Sequence, residues 1–65
     1  MKTKYFRIHG TSPEGTDHEW SGTGWGDMGR GKLLSEWDAH CTEIDMNLHS
    51  DFICWKVQEG ERVEL

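Results

Sequence analysis

The residues with the widest chemical range in this chain are four histidines and two cysteines. His9, His18, His40, His49, Cys41 and Cys54 include the ligand types of a zinc site. Tetrahedral zinc sites draw on tight pairs such as C-x2-C or H-x3-H. Here the closest pair is His40–Cys41, whose side chains diverge on a helix, and the remaining spacings are long. A small zinc-binding domain stays as an alternative reading, with no residue assigned as a ligand. The same pair does not make a nucleophilic site. Activating a cysteine needs a base in hydrogen-bond reach and usually a third, orienting group.

Two glycine patterns suggest phosphate chemistry and then fail on context. Gly24-Trp25-Gly26-Asp27-Met28-Gly29 fits G-x-G-x-x-G, the spacing that lets a backbone approach a pyrophosphate at a helix N-terminus. No hydrophobic strand leads directly into it, and no second βαβ unit follows. Seven of the eight glycines fall between residues 10 and 32, so composition alone produces such matches. The segment from Gly26 to Lys32 approaches the P-loop pattern, but residue 33 is Leu and the hydroxyl that would hold Mg2+ is missing. A weaker option remains. Arg30, Lys32 and free backbone N–H groups could receive an anion or an acidic side chain of a partner. No cofactor is expected.

The element that must position everything else is the stretch from Lys32 to Leu48, KLLSEWDAHCTEIDMNL. At about 100° per residue, Leu33, Leu34, Trp37, Cys41, Ile44 and Leu48 fall within an arc of about 100°. We read that stripe as the core face of an amphipathic helix. Glu36, Asp38, Glu43 and Asp45 form its acidic back. SEWD fits a capping box with Ser35 as N-cap and Asp38 three residues on. The helix is expected to run to about Thr42–Asp45. From there TEIDMNLH alternates as cleanly as it spirals, so residues 43–48 fit helix and strand equally.

Around this helix the chain reads as strand. Residues 3–9, TKYFRIH, put Phe6 and Ile8 on one face, assigned to the core, and Tyr5, Arg7 and His9 on the other. GTSPEGTD is turn chemistry, and the island HEWS around Trp20 can pair back with the first strand. The Gly-rich run at about 21–32 is expected to be a mobile surface loop, with only Trp25 and Met28 to hold it. FICWKV, residues 52–57, is a strand with Ile53, Trp55 and Val57 on the core face. QEGE is expected to turn, and RVEL to return as an edge strand through Val63 and Leu65. The expectation is one α+β domain over residues 1–65: an amphipathic helix on a three- or four-stranded antiparallel sheet. The alternative is a small all-β barrel in which 42–48 pairs with 52–57.

Size and charge narrow the function. Sixty-five residues leave no room for both a core and a deep substrate cleft, so no catalytic residue is assigned and an enzyme is not expected. The net charge of −5 disfavours direct nucleic-acid and membrane binding, which draw on Lys and Arg. No h-region opens the chain and no apolar run reaches the ~18 residues of a membrane span, which points to the cytoplasm and reduced cysteines. Trp37 and Trp55 are assigned to packing. Trp20 and Trp25 sit among polar residues, where tryptophan marks binding hot spots, unless they fold back to cap the small core. The expected function is a small acidic protein–protein interaction or regulatory module, such as an inhibitor of a larger basic protein. Its partner-binding residues would be Trp20, Trp25, Glu36, Asp38, Glu43 and Asp45, and a homodimer is compatible. A nucleic-acid mimic using the acidic helix face is the other alternative.

Overall fold

The computed structural model describes residues 2–63. The elements run β1 (Lys2–Thr11), β2 (Asp17–Trp20), β3 (Trp25–Gly26), β4 (Leu34–Ser35), α1 (Glu36–His49) and β5 (Ile53–Val63). This is an α+β fold, one helix on a curled antiparallel five-stranded sheet. Residues 43–48 are helical, which removes the strand that the barrel alternative required.

β1 is the central strand because it is long enough to serve three partners. β5 follows one edge along its whole length, from Lys2 opposite Val63 to Thr11 opposite Ile53. The other edge is shared, with β2 at His9–Thr11 and β4 at Tyr5–Phe6. The turn between β1 and β2 closes as its Pro-Glu-Gly chemistry implies. The Gly15 N–H donates to the Ser12 carbonyl at 2.9 Å, and the Thr16 N–H to Ser12 Oγ at 3.1 Å. β3 then pairs back on β2, with Trp25 opposite Trp20.

The C-terminal segment corrects two expectations. QEGE does not turn, because β5 continues unbroken and absorbs the extra residue as a β-bulge. Tyr5 pairs with Gly60 and Phe6 with Gln58, which leaves Glu59 as the inserted residue. Leu65, expected on a returning edge strand, lies outside the described residues. The second correction concerns which face of β5 is inside. Register places Cys54 beside Gly10 and Lys56 beside Ile8, so these even-numbered residues share the Phe6–Ile8 face. Ile53 and Trp55 therefore face outward, Ile53 at 71% exposure. Lys56 tolerates the inner face by carrying its ammonium over the Phe6 ring, 5.8 Å from the centroid.

The core is small. Phe6, Ile8, Ala39 and Cys54 are buried, with Trp20, Trp25, Leu34, Met46 and Phe52 packed around them. So few aliphatic residues cannot fill the concave side of the sheet, and the loop tryptophans complete it. Trp25 stacks on Phe52, with ring centroids 4.5 Å apart, and meets Trp20 edge-on at 5.4 Å. The Trp25 ring also lies over Gly10, where a Cβ would come within 2.6 Å of it. Residue 10 has to be glycine for the ring to reach the sheet.

Candidate functional site

The rotation of α1 about its axis is the main departure from expectation. Leu34 and Ser35 pair with Phe6 and Tyr5 as β4, and the helix begins at the next residue. With no linker between strand and helix, the strand pairing sets the helix phase. Ser35 caps it as expected, accepting the Asp38 N–H on Oγ at 3.2 Å. At the other end, the Ser50 N–H and hydroxyl both donate to the Met46 carbonyl, at 3.0 and 2.6 Å. Given that phase, the helix meets the sheet through Ala39, Glu43, Met46 and Asn47.

Two polar side chains on this inner face have a backbone task. β5 is an edge strand, and its outward N–H and C=O groups need partners. Asn47 accepts the Cys54 N–H at 2.8 Å and donates to the Cys54 carbonyl at 3.0 Å. Glu43 accepts the Lys56 N–H at 2.9 Å. The helix thus pairs with the strand edge through side chains, as a neighbouring strand would through its backbone. Burial pushes the Cys54 thiol above its ordinary pKa, and the Glu43 carboxylate adds to the effect.

The apolar stripe expected in the core lies on the opposite side. Ala39 and Met46 are roughly 180° around the helix from its centre. Trp37 is 71% exposed, Leu48 72% and Ile44 46%, and Cys41 between them is exposed. Only Leu34, which belongs to β4, turns into the core, while Leu33 stays half exposed. The assignments of Trp37, Cys41, Ile44 and Leu48 to the core are therefore corrected, as is that of Trp55, which is 41% exposed. Trp37, Cys41, Ile44 and Leu48 follow 4-3-4 spacing, the a/d repeat of a helix-pairing seam. Glu36, Asp38 and Asp45 flank it and are exposed. A hollow of about 380 Å³ opens beside Trp37, lined also by Glu36, His40 and Lys56.

A second cluster lies on the outer sheet face. Glu19, only 3% exposed, points from β2 into the Gly-rich loop. Its Oε1 accepts the N–H groups of Gly29 and, at 3.2 Å, of Gly31. A Cβ on residue 31 would come within 2.9 Å of the Glu19 Cβ, so the loop needs glycine to lie this close. Arg7 Nε donates to the Gly31 carbonyl at 3.1 Å, and the Lys32 N–H to the Trp20 carbonyl at 2.9 Å. The run expected to be a loosely held loop is therefore tied to the sheet at several points. The N–H groups considered for an external anion already hold an internal one. Burial pushes the Glu19 carboxyl up, but the Gly29 and Gly31 donors and the nearby His9 and Arg7 charges outweigh it, leaving the pKa lowered.

His9 and Glu59 complete this cluster. His9 Nε2 lies 2.7 Å from Glu19 Oε2 and 4.0 Å from Glu59 Oε1, and Arg7 reaches Glu59 Oε2 at 3.3 Å. Glu59 is the residue inserted at the bulge of β5. Beside it runs a groove of about 420 Å³ lined by Tyr5, Arg7, Leu33, Glu59, Gly60 and Glu61.

The structure separates the residues that the sequence groups as partner-binding. Trp20 and Trp25 fold back onto the core edge. Glu43 turns inward onto β5, whereas Glu36, Asp38 and Asp45 remain on the surface. The zinc candidates do not converge: His18 contacts Thr16 Oγ1 at 2.9 Å, His49 lies 3.7 Å from Asp45, and His40 packs beside Trp37. Sequence reasoning missed Glu19, Glu59 and Asn47. The available signal for Glu19 was an acid inside a short strand that runs straight into a glycine-rich loop. Among the described residues, no helix is long and apolar enough to cross a membrane. Compared with protein-family models, curated proteins and solved structures, the chain shows no match.

Proposed function

We propose that this protein is a non-enzymatic interaction module whose working surface is the outer face of α1. The observation that carries the reading is the solvent-facing stripe Trp37–Cys41–Ile44–Leu48, an apolar seam on a helix already anchored by its opposite side. Contiguous exposed apolar surface rimmed by charge marks an interaction site. The occupant it suits is an amphipathic helix of a partner protein, with Lys or Arg flanking its own apolar stripe. Charge supports this choice, because α1 carries Glu36, Asp38, Glu43 and Asp45 and no Lys or Arg. A second copy of the chain brings the same acids, and an antiparallel pair would set Asp38 against Asp45 of its mate. The hollow beside Trp37 offers a place for one anchoring side chain. Masking a basic amphipathic helix in this way is a regulatory or inhibitory mode of action, and we take it to operate in the cytoplasm, with Cys41 and Cys54 as free thiols.

A synthetic basic amphipathic peptide with Leu at a/d spacing, titrated into the protein and followed by tryptophan fluorescence, tests the reading. Saturable binding is expected, weakened at least about tenfold by Trp37→Ala or Leu48→Ala and reduced by Asp38→Asn/Asp45→Asn. Equal binding of a scrambled peptide, or binding indifferent to Trp37→Ala, overturns it. Sedimentation showing a dimer that Trp37→Ala dissolves would also overturn it, and would assign the face to a second copy. The nucleic-acid-mimic alternative is less supported, since it needs a continuous row of acids and Glu43 is committed to Lys56.

A further inference from the structure

We propose that His9, Glu19 and Glu59 form a binding site for a first-row divalent cation, with Zn2+ as the matching ion. The three ligand-type atoms lie within 4.8 Å of one another, each brought from a different strand. Around a tetrahedral ion, two ligand atoms each about 2.1 Å from it stand about 3.4 Å apart. The 2.7 Å from His9 Nε2 to Glu19 Oε2 lies below that separation and the 4.0 Å to Glu59 Oε1 above it, so the two distances bracket it. A small turn of the partly exposed Glu59 side chain brings in the third ligand.

Two features single this cluster out from an ordinary surface ion pair. The first is His9 Nε2, the one buried side-chain polar atom among the described residues without a hydrogen bond. It approaches Glu19 Oε2 closely but without the alignment that a hydrogen bond needs. An ion taken up between them in place of a proton on Nε2, which leaves to solvent, satisfies both the imidazole and the carboxylate. The second feature is pre-organisation. Glu19 Oε1 is fixed by the Gly29 and Gly31 N–H groups, which leaves Oε2 to face His9, the kind of outer support that metal carboxylates receive. One imidazole and two carboxylates suit zinc and its neighbours, and the two negative charges balance the ion. The groove along Tyr5 reaches the cluster at Arg7 and Glu59. Arg7 is the competitor, because it holds Glu59 when no ion does. Zinc therefore has to displace the guanidinium from Glu59.

The proposal is independent of the helix-face reading. Untagged protein, stripped with a chelator, is titrated calorimetrically with Zn2+ and spectroscopically with Co2+. One equivalent is expected to bind. His9→Gln and Glu59→Gln should each weaken binding at least about tenfold, while Arg7→Gln, which removes the competing cation, should strengthen it. Glu19 is left intact in these variants because it also holds the loop, and circular dichroism checks that each one folds. The triple variant His40→Gln/Cys41→Ser/His49→Gln should bind as the wild type does. No saturable binding, binding that survives both His9→Gln and Glu59→Gln, or binding lost in the triple variant overturns the site.

Discussion

Glu19 is the residue on which the irregular third of the chain depends. It is nearly fully buried, and its carboxylate takes the place of a phosphate in a glycine nest. Its folded-state pKa lies below the unfolded value of 4.5, so its contribution to stability is complete above that pH. The contribution is lost as pH falls through the lowered folded value. Urea denaturation at a series of pH values should therefore show the wild type losing more stability below pH ~4.5 than Glu19→Gln does. Near neutral pH, Glu19→Ala should cost about 1–3 kcal/mol for each N–H left without a partner. A variant that keeps wild-type stability and acid sensitivity would show that the loop does not need this carboxylate. His9 and Arg7 add charge to the same carboxylate, but the partly exposed Arg7–Glu59 pair is itself worth only about 0–1 kcal/mol.

At the scale of the element, the helix divides its labour between two faces, and the division can be measured. Ala39 is fully buried, so Ala39→Leu should destabilise by about 1–3 kcal/mol through overpacking. Asn47→Ala orphans both backbone groups of Cys54 and should cost about 1–3 kcal/mol. Trp37→Ala and Leu48→Ala should change the stability of the isolated chain by no more than about 0.5 kcal/mol. Chemical denaturation of these four variants checks the helix phase, and a large loss from Trp37→Ala would contradict it. The helix itself was legible in the sequence, from its Ser35 cap to its 3.6-residue period. Which side of it meets the sheet was not. Periodicity shows where the apolar residues lie on a helix, but not which face a neighbour covers. Here that was fixed by β4, a two-residue strand too short to give a pattern, and by the need of β5 for edge partners. The Phe6–Ile8 face was legible from alternation. The inner face of β5 was misread because the apolar set Ile53, Trp55 and Val57 pointed the other way. Glu59 was hidden for a similar reason, since a glycine-containing QEGE reads equally as a turn or as a bulge.

For the molecule as a whole, a core with four buried apolar residues among those described, rimmed by half-buried aromatics, implies marginal stability, as expected at this chain length. Any ligand of the native state then adds visibly to it. At 100 times its Kd, a helix-face partner contributes about 2.7 kcal/mol, which for a domain of this size raises Tm on the order of 10 °C. Scanning calorimetry with the basic amphipathic peptide should show that shift, and a tenfold weakening by Trp37→Ala should cut it to about half. Because the seam is separate from the packing residues, it can vary on its own. The side chains at 37, 41, 44 and 48 can drift in shape and hydrophobicity with little penalty to folding, while Ala39, Glu43, Met46 and Asn47 hold the helix in place. A scaffold built this way could acquire new binding specificity through changes at a handful of codons, with foldability insulated from the change.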